Sequence, residues 1–86
     1  MSAGRPPRTS AELARLRAEI DELDRRIVRL INERAVLTVA VGHAKAALGR
    51  RAIRDRDRER EVLLRVTMSN AGPLPQADVL AIYRRL

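Results

Sequence analysis

The chain has no cysteine, no phenylalanine and no tryptophan, and its 86 residues include one histidine and one aromatic residue, Tyr83. Without thiols there is neither a disulfide framework nor a thiolate metal site, and the composition suits a reducing compartment, so a cytoplasmic location is expected. Without Phe or Trp, any core must be assembled from Leu, Ile, Val and Ala, a thin supply for a lone chain of this length. Proline and glycine are missing from Arg8 to Val41, so nothing in that stretch interrupts a helix. Long apolar runs are missing too. Residues Met1 to Ser10 carry Arg5, Pro6, Pro7 and Arg8 where a signal peptide would be apolar, and no segment has the makings of a membrane span. Residues 1–10 read as a flexible basic tail and 11–86 as one domain.

What is present is a comb of apolar residues. Leu13, Leu16, Ile20, Leu23, Ile27, Leu30, Leu37, Val41, Ala44 and Leu48 follow one another by steps of three and four, the seam of one long helix, and the missing tooth is Arg34. A guanidinium facing a helix-packed interior cannot lose its proton, so it must meet an anion, from the protein or from a ligand.

The net charge of +7 is unevenly spread. Residues 12–34 hold six Arg and six acidic residues, and pairs such as Asp21 with Arg25 and Glu22 with Arg26 stand four apart, as in surface ion pairs on a helix. The excess lies in 50–60, where Arg50, Arg51, Arg54, Arg56, Arg58 and Arg60 face Asp55, Asp57 and Glu59. Such a cluster suits a small acidic ligand as well as a phosphate backbone.

The elements follow from the punctuation. Thr9 and Glu12 have capping-box spacing, with Ser10 as an alternative cap, and predict a helix from about Ser10 to about Leu48, ended by Gly49. A second helix begins near Asp55, whose carboxylate caps it, and carries Val62, Leu63 and Val66 to about Met68. Ser69 to Pro75 breaks the chain, and a third helix starts near Pro75 with Val79, Ile82, Tyr83 and Leu86 on one face. A first helix of about 39 residues is about 58 Å long, against a radius of gyration of about 12 Å for a compact chain of this length. Its own chain cannot cover it. A homodimer that buries the seam is the expected solution.

Several polar residues share these faces. Arg34 and Lys45, eleven positions apart, point the same way about 16 Å apart along the axis. Arg58 and Glu59 continue the stripe of Val62, Leu63 and Val66 by steps of three and four, which predicts that they face inward. Arg17 lies about 25 Å from Arg34 on a straight helix. It cannot serve the same small site in one chain, but an antiparallel partner could carry its Arg17 there.

Leu16-Arg17, Ile20, Leu23-Asp24, Ile27, Glu33-Arg34, Val41-Gly42-His43-Ala44-Lys45 and Ile53-Arg54-Asp55-Arg56-Asp57-Arg58-Glu59 together resemble the all-helical (type II) chorismate mutases, from about Glu12 to Leu86. The resemblance implies an all-α fold: a three-helix protomer with one very long N-terminal helix, intertwined as a homodimer with sites shared between chains. It also implies the isomerisation of chorismate to prephenate, in aromatic amino-acid biosynthesis, with no cofactor and no metal. Carried over, Arg17 of the other chain, Arg34 and Arg58 hold the substrate's carboxylates. Lys45 contacts a carboxylate and the ether oxygen of the breaking bond, and Glu59 with the backbone around Asp55 holds the ring hydroxyl. Lys45, Arg34 and Glu59 are thus the expected catalytic residues; Arg17, Asp55 and Arg58 complete the substrate-binding set.

One departure stands out. Family members carry a polar side chain on the last helix that shares the ether oxygen with the lysine, and that position falls beyond Leu86, so the last helix is expected to be incomplete and a fused or associated shikimate-pathway enzyme is a possible partner. Isochorismate pyruvate lyase, on the same scaffold, shares the arginines and lysine but tends to lack the Arg-Asp-x-Asp-Arg-Glu run, so residues 55–59 favour the mutase. A basic coiled coil binding nucleic acid is disfavoured by the neutral segment 12–34 and by the want of a basic region continuous with the seam. Neither nucleic acid nor membrane is an expected partner.

Overall fold

A computed structural model describes residues 8–49 and 55–86, which form three α-helices and no strand: α1 (Ser10–Ala47), α2 (Arg56–Ser69) and α3 (Gln76–Arg85). The chain divides into two units, Met1–Ala40 and Val41–Leu86, so the boundary falls within α1. Residues 1–7 of the expected tail, Arg50, Arg51 and Arg54 of the basic cluster, and Ile53 of the family-like run lie outside the described residues.

The start of α1 is fixed by side chains. The Glu12 amide donates to Thr9 Oγ1 at 3.0 Å, and the Arg8 amide donates to Glu12 Oε2 at 2.8 Å. This is a capping box shifted by one residue on its return arm, and Thr9, not Ser10, is the cap. Arg8, Thr9 and Ser10 are therefore part of the helix start, which shortens the expected tail.

Along α1 most of the seam stands open, Leu13 being 38% and Leu37 66% exposed, with Leu16 half-buried. Glu22 pairs with Arg25 at 2.7 Å, three residues on, and not with Arg26 as the four-residue spacing predicted. Both spacings bring side chains together on a helix. The contact raises the Arg25 pKa, chiefly through the Glu22 hydrogen bond and charge, with Asp21 adding to it.

The second unit holds the end of α1 and the α2–α3 pair. Gly49 follows α1 at φ +73 and its amide donates to the Ala46 carbonyl at 3.0 Å, a left-handed C-terminal turn that favours glycine. Asp55 begins α2: its Oδ1 accepts from the Arg58 amide at 3.0 Å. Val62, Leu63, Val66, Thr67 and Asn70 of α2 and its C-cap are half-buried, as are Val79, Leu80 and Tyr83 of α3, where the two helices pack. Ile82 and Leu86, expected on the packed face of α3, are 53% and 43% exposed. The half-buried register runs through Leu80 instead, beside Val79 and three residues before Tyr83.

Polar bonds close the turn between the helices. Gln76 Nε2 donates to the Thr67 carbonyl at 2.8 Å, and Asn70 Nδ2 donates to Gln76 Oε1 at 2.8 Å and to the Leu74 carbonyl at 2.9 Å. Asn70 Oδ1 accepts from the Gly72 amide at 3.1 Å. The Gln76 bond occupies the Thr67 carbonyl in the last turn of α2 and ties the start of α3 to it. No side chain among the described residues is fully buried, so what core there is lies between α2 and α3 and is only half closed. No helix among them is long and apolar enough to cross a membrane.

Candidate active site

Most of the exposed surface of α1 is interrupted at a few points. Among its described residues only Glu12, Leu16, Arg34 and Lys45 are half-buried, the rest being exposed. Two of these four are cations singled out in the sequence, Arg34 as the gap in the seam and Lys45 by its eleven-residue spacing from it. Arg34 occupies the seam position itself, and its carbonyl accepts from Thr38 Oγ1 at 3.0 Å. Lys45 stands in the last turn of α1, where the helix carbonyls favour a cation. Arg17 is exposed on the same helix, and the 17 residues between it and Arg34 amount to about 25 Å of helix. No single chain brings those two arginines to one small ligand.

Asp55, Arg58 and Glu59 are brought together at the start of α2. Asp55 Oδ1 takes the Arg58 amide at 3.0 Å and the Asp55 carbonyl takes the Glu59 amide at 3.0 Å, so one capped turn sets the direction of both side chains. Asp55 is half-buried. Arg58 and Glu59, expected to face inward with Val62 and Leu63, are exposed. The guanidinium of Arg58 instead reaches along the helix to Glu61, Nη1 to Oε1 at 3.2 Å, with 55% of its side chain in solvent. A charged group stays hydrated and paired with a neighbouring carboxylate in preference to entering an apolar contact alone.

The sequence reading missed Glu61 and Arg65. Glu61 Oε1 meets Arg58 on one side and Arg65 on the other, a two-arginine bridge on the exposed face of α2. Its signal was present in the chain, since the three residues are spaced by three and four. Arg60, by contrast, is tied to Asp57 at 2.9 Å and both are largely in solvent.

The start of α2 offers cations beside carboxylates, with no nucleophile–base pair among the residues singled out. It suits the holding of a small polyanion more than acid–base or covalent chemistry. The description of the chorismate mutase type II family matches residues 16–86, a span that contains every one of these residues. The chain belongs to the type II chorismate mutase family. Its relatives in that family include the bifunctional chorismate mutase/prephenate dehydratases of Aquifex aeolicus strain VF5, 38% identical over 87% of this chain and 22% of that protein. Those of Neisseria gonorrhoeae, 40% identical over 81% of this chain and 18% of that protein, and of Escherichia coli K12, 45% identical over 84% and 19%, are similar too. The chain thus spans about a fifth of the length of the curated relatives it matches. No solved structure gives a significant match.

Proposed function

We propose that this chain is a chorismate mutase: it rearranges chorismate to prephenate by holding the dianion between fixed cations. The observation that carries the reading is the family match across 16–86, within which Arg34 and Lys45 are the two half-buried cations of α1. The reaction is unimolecular, one C–O bond breaking as one C–C bond forms, and needs neither cofactor nor metal. It requires a folded conformer with the two ends of the substrate in contact, and cations clamped on both carboxylates select that conformer. Negative charge grows on the ether oxygen in the transition state, so an ammonium already in place stabilises it more than the ground state. Lys45 takes that role, Arg34 and Arg58 hold carboxylates, and Glu59 with the backbone around Asp55 orients the ring hydroxyl.

The third arginine is Arg17 of a second copy. An open seam of Leu, Ile and Val along a helix of 38 residues, about 57 Å long, needs a cover that this chain's thin apolar supply does not offer, and a two-fold dimer buries both copies at once. An antiparallel partner carries its Arg17 the length needed to meet Arg34. Residues 11–86 form the mutase domain of a cytoplasmic enzyme, working beside or fused to another enzyme of aromatic biosynthesis, as the dehydratase part of its relatives illustrates.

The test is incubation of the purified chain with chorismate and, separately, with isochorismate. Chorismate loss with equimolar prephenate supports the reading. Pyruvate release from isochorismate, with chorismate untouched, refutes it in favour of the lyase, and salt-sensitive binding of DNA or RNA with no turnover refutes it in favour of a nucleic-acid coiled coil.

A further inference from the structure

We propose that Glu61 is a positioning residue for the substrate arginine Arg58, with Arg65 as the counter-cation that keeps Glu61 from neutralising it. The inference rests on the mutase reading of Arg58. Arg58 is fixed twice: its amide is held by Asp55 Oδ1 at 3.0 Å, and its Nη1 by Glu61 Oε1 at 3.2 Å. A free arginine side chain samples many rotamers, and tethering one edge of the guanidinium removes part of that freedom before the ligand arrives. The remaining N–H donors point away from the tether and are the ones left to meet a carboxylate side by side.

Arg65 makes the tether compatible with anion binding. It meets the same Glu61 Oε1 from the opposite side, one turn further along α2. One negative charge is thereby shared by two positive ones, and the group of three keeps a net charge of +1. A lone Arg58–Glu61 pair would be neutral and would attract a dianion less than the group of three does. All three side chains are about half in solvent, from 47% at Glu61 to 66% at Arg65, so the substitutions that test this do not disturb a core.

The test is steady-state chorismate turnover, at about 0.15 M ionic strength, where the change in net charge is screened, by the wild-type chain and by Glu61→Gln, Glu61→Asp, Arg58→Ala and the Arg58→Ala/Glu61→Gln double variant. Glu61→Gln keeps the shape and removes the charge. It is expected to raise KM about three- to five-fold, the scale of an exposed ion pair in a network, with kcat within about two-fold. Glu61→Asp restores part of the loss. In the Arg58→Ala background Glu61→Gln adds nothing further, because its only route to the substrate is gone. An unchanged KM in Glu61→Gln, or the same increase with Arg58 absent, overturns the proposal while leaving the mutase reading intact. An Arg58→Ala chain with wild-type kinetics overturns the proposal and the substrate role of Arg58 while leaving the mutase activity standing, and a wild-type chain that does not turn over chorismate overturns both readings.

Discussion

Replacing Lys45 by alanine separates catalysis from stability better than any other change in this chain. Lys45 lies in the last turn of α1, half-buried, and no hydrogen bond or ion pair ties its ammonium to another described residue, while its carbonyl accepts from the Leu48 amide at 3.2 Å. What α1 loses is the favourable meeting of an ammonium with the helix C-terminus, about 0.3–1 kcal/mol. What it gains is the helix preference of alanine over lysine, a few tenths of a kcal/mol. The two nearly cancel, so the melting temperature should move by no more than about 4 °C for a domain of this size. The barrier is another matter. Removing one preorganised donor from a developing oxyanion costs about 2.7–4 kcal/mol, a factor of about 10²–10³ in kcat. Initial rates of chorismate loss and thermal melting followed by circular dichroism, on the same preparation, measure both. Lys45→Arg keeps the charge but trades a compact ammonium for a planar fork, so it should recover substrate binding more than rate. A folded Lys45→Ala chain with kcat within about three-fold of wild type would refute the assignment, since no effect of that size fits a contact to the leaving oxygen.

Two other outcomes follow from the geometry. Asp55→Ala removes the cap of α2 and should cost about 1 kcal/mol, or about 4–8 °C in melting temperature, whereas Asp55→Asn, still able to accept from the Arg58 amide, should melt close to wild type. Ile27→Glu places a carboxylate on the seam at a side chain that is 51% exposed in the single chain. Burying two isoleucines per dimer is worth about 2 kcal/mol each, so the dissociation constant measured by sedimentation should rise about 10³-fold; an unchanged constant would place the dimer contact elsewhere.

Local grammar made most of the fold legible. Thr9, Glu12, Gly49 and Asp55 announced the helix limits because capping depends on residues three or four apart; Thr9, Gly49 and Asp55 make the bond or backbone turn expected of them, and Glu12 takes the Arg8 amide in place of that of Thr9. The stripe Val62, Leu63 and Val66 is half-buried as predicted, since α2 has one apolar face to offer α3. Less was legible where the outcome depends on which of two allowed neighbours wins. Glu22 chose Arg25 over Arg26, and Leu80 took the packed position assigned to Ile82. The bonds from Asn70 and Gln76 span six and nine residues across the turn, so spacing rules for a single helix could not reveal them. Of the site, Arg34 was marked by the seam and Lys45 by its eleven-residue spacing from Arg34, and both are among the few half-buried residues of α1. Arg58 and Glu59 were placed inside by periodicity alone, and the sequence pattern took no account of the hydration that keeps them at the surface.

The central claim is that cations from two copies of the chain meet around one dianion. Mixing Arg17→Ala and Arg34→Ala chains tests it most directly, because each variant alone has every site broken. Random re-pairing makes about half of the dimers mixed, and in each of those one of two sites regains both arginines, so about a quarter of wild-type activity should return. Confirmed mixed dimers with no activity above that of either variant would contradict it.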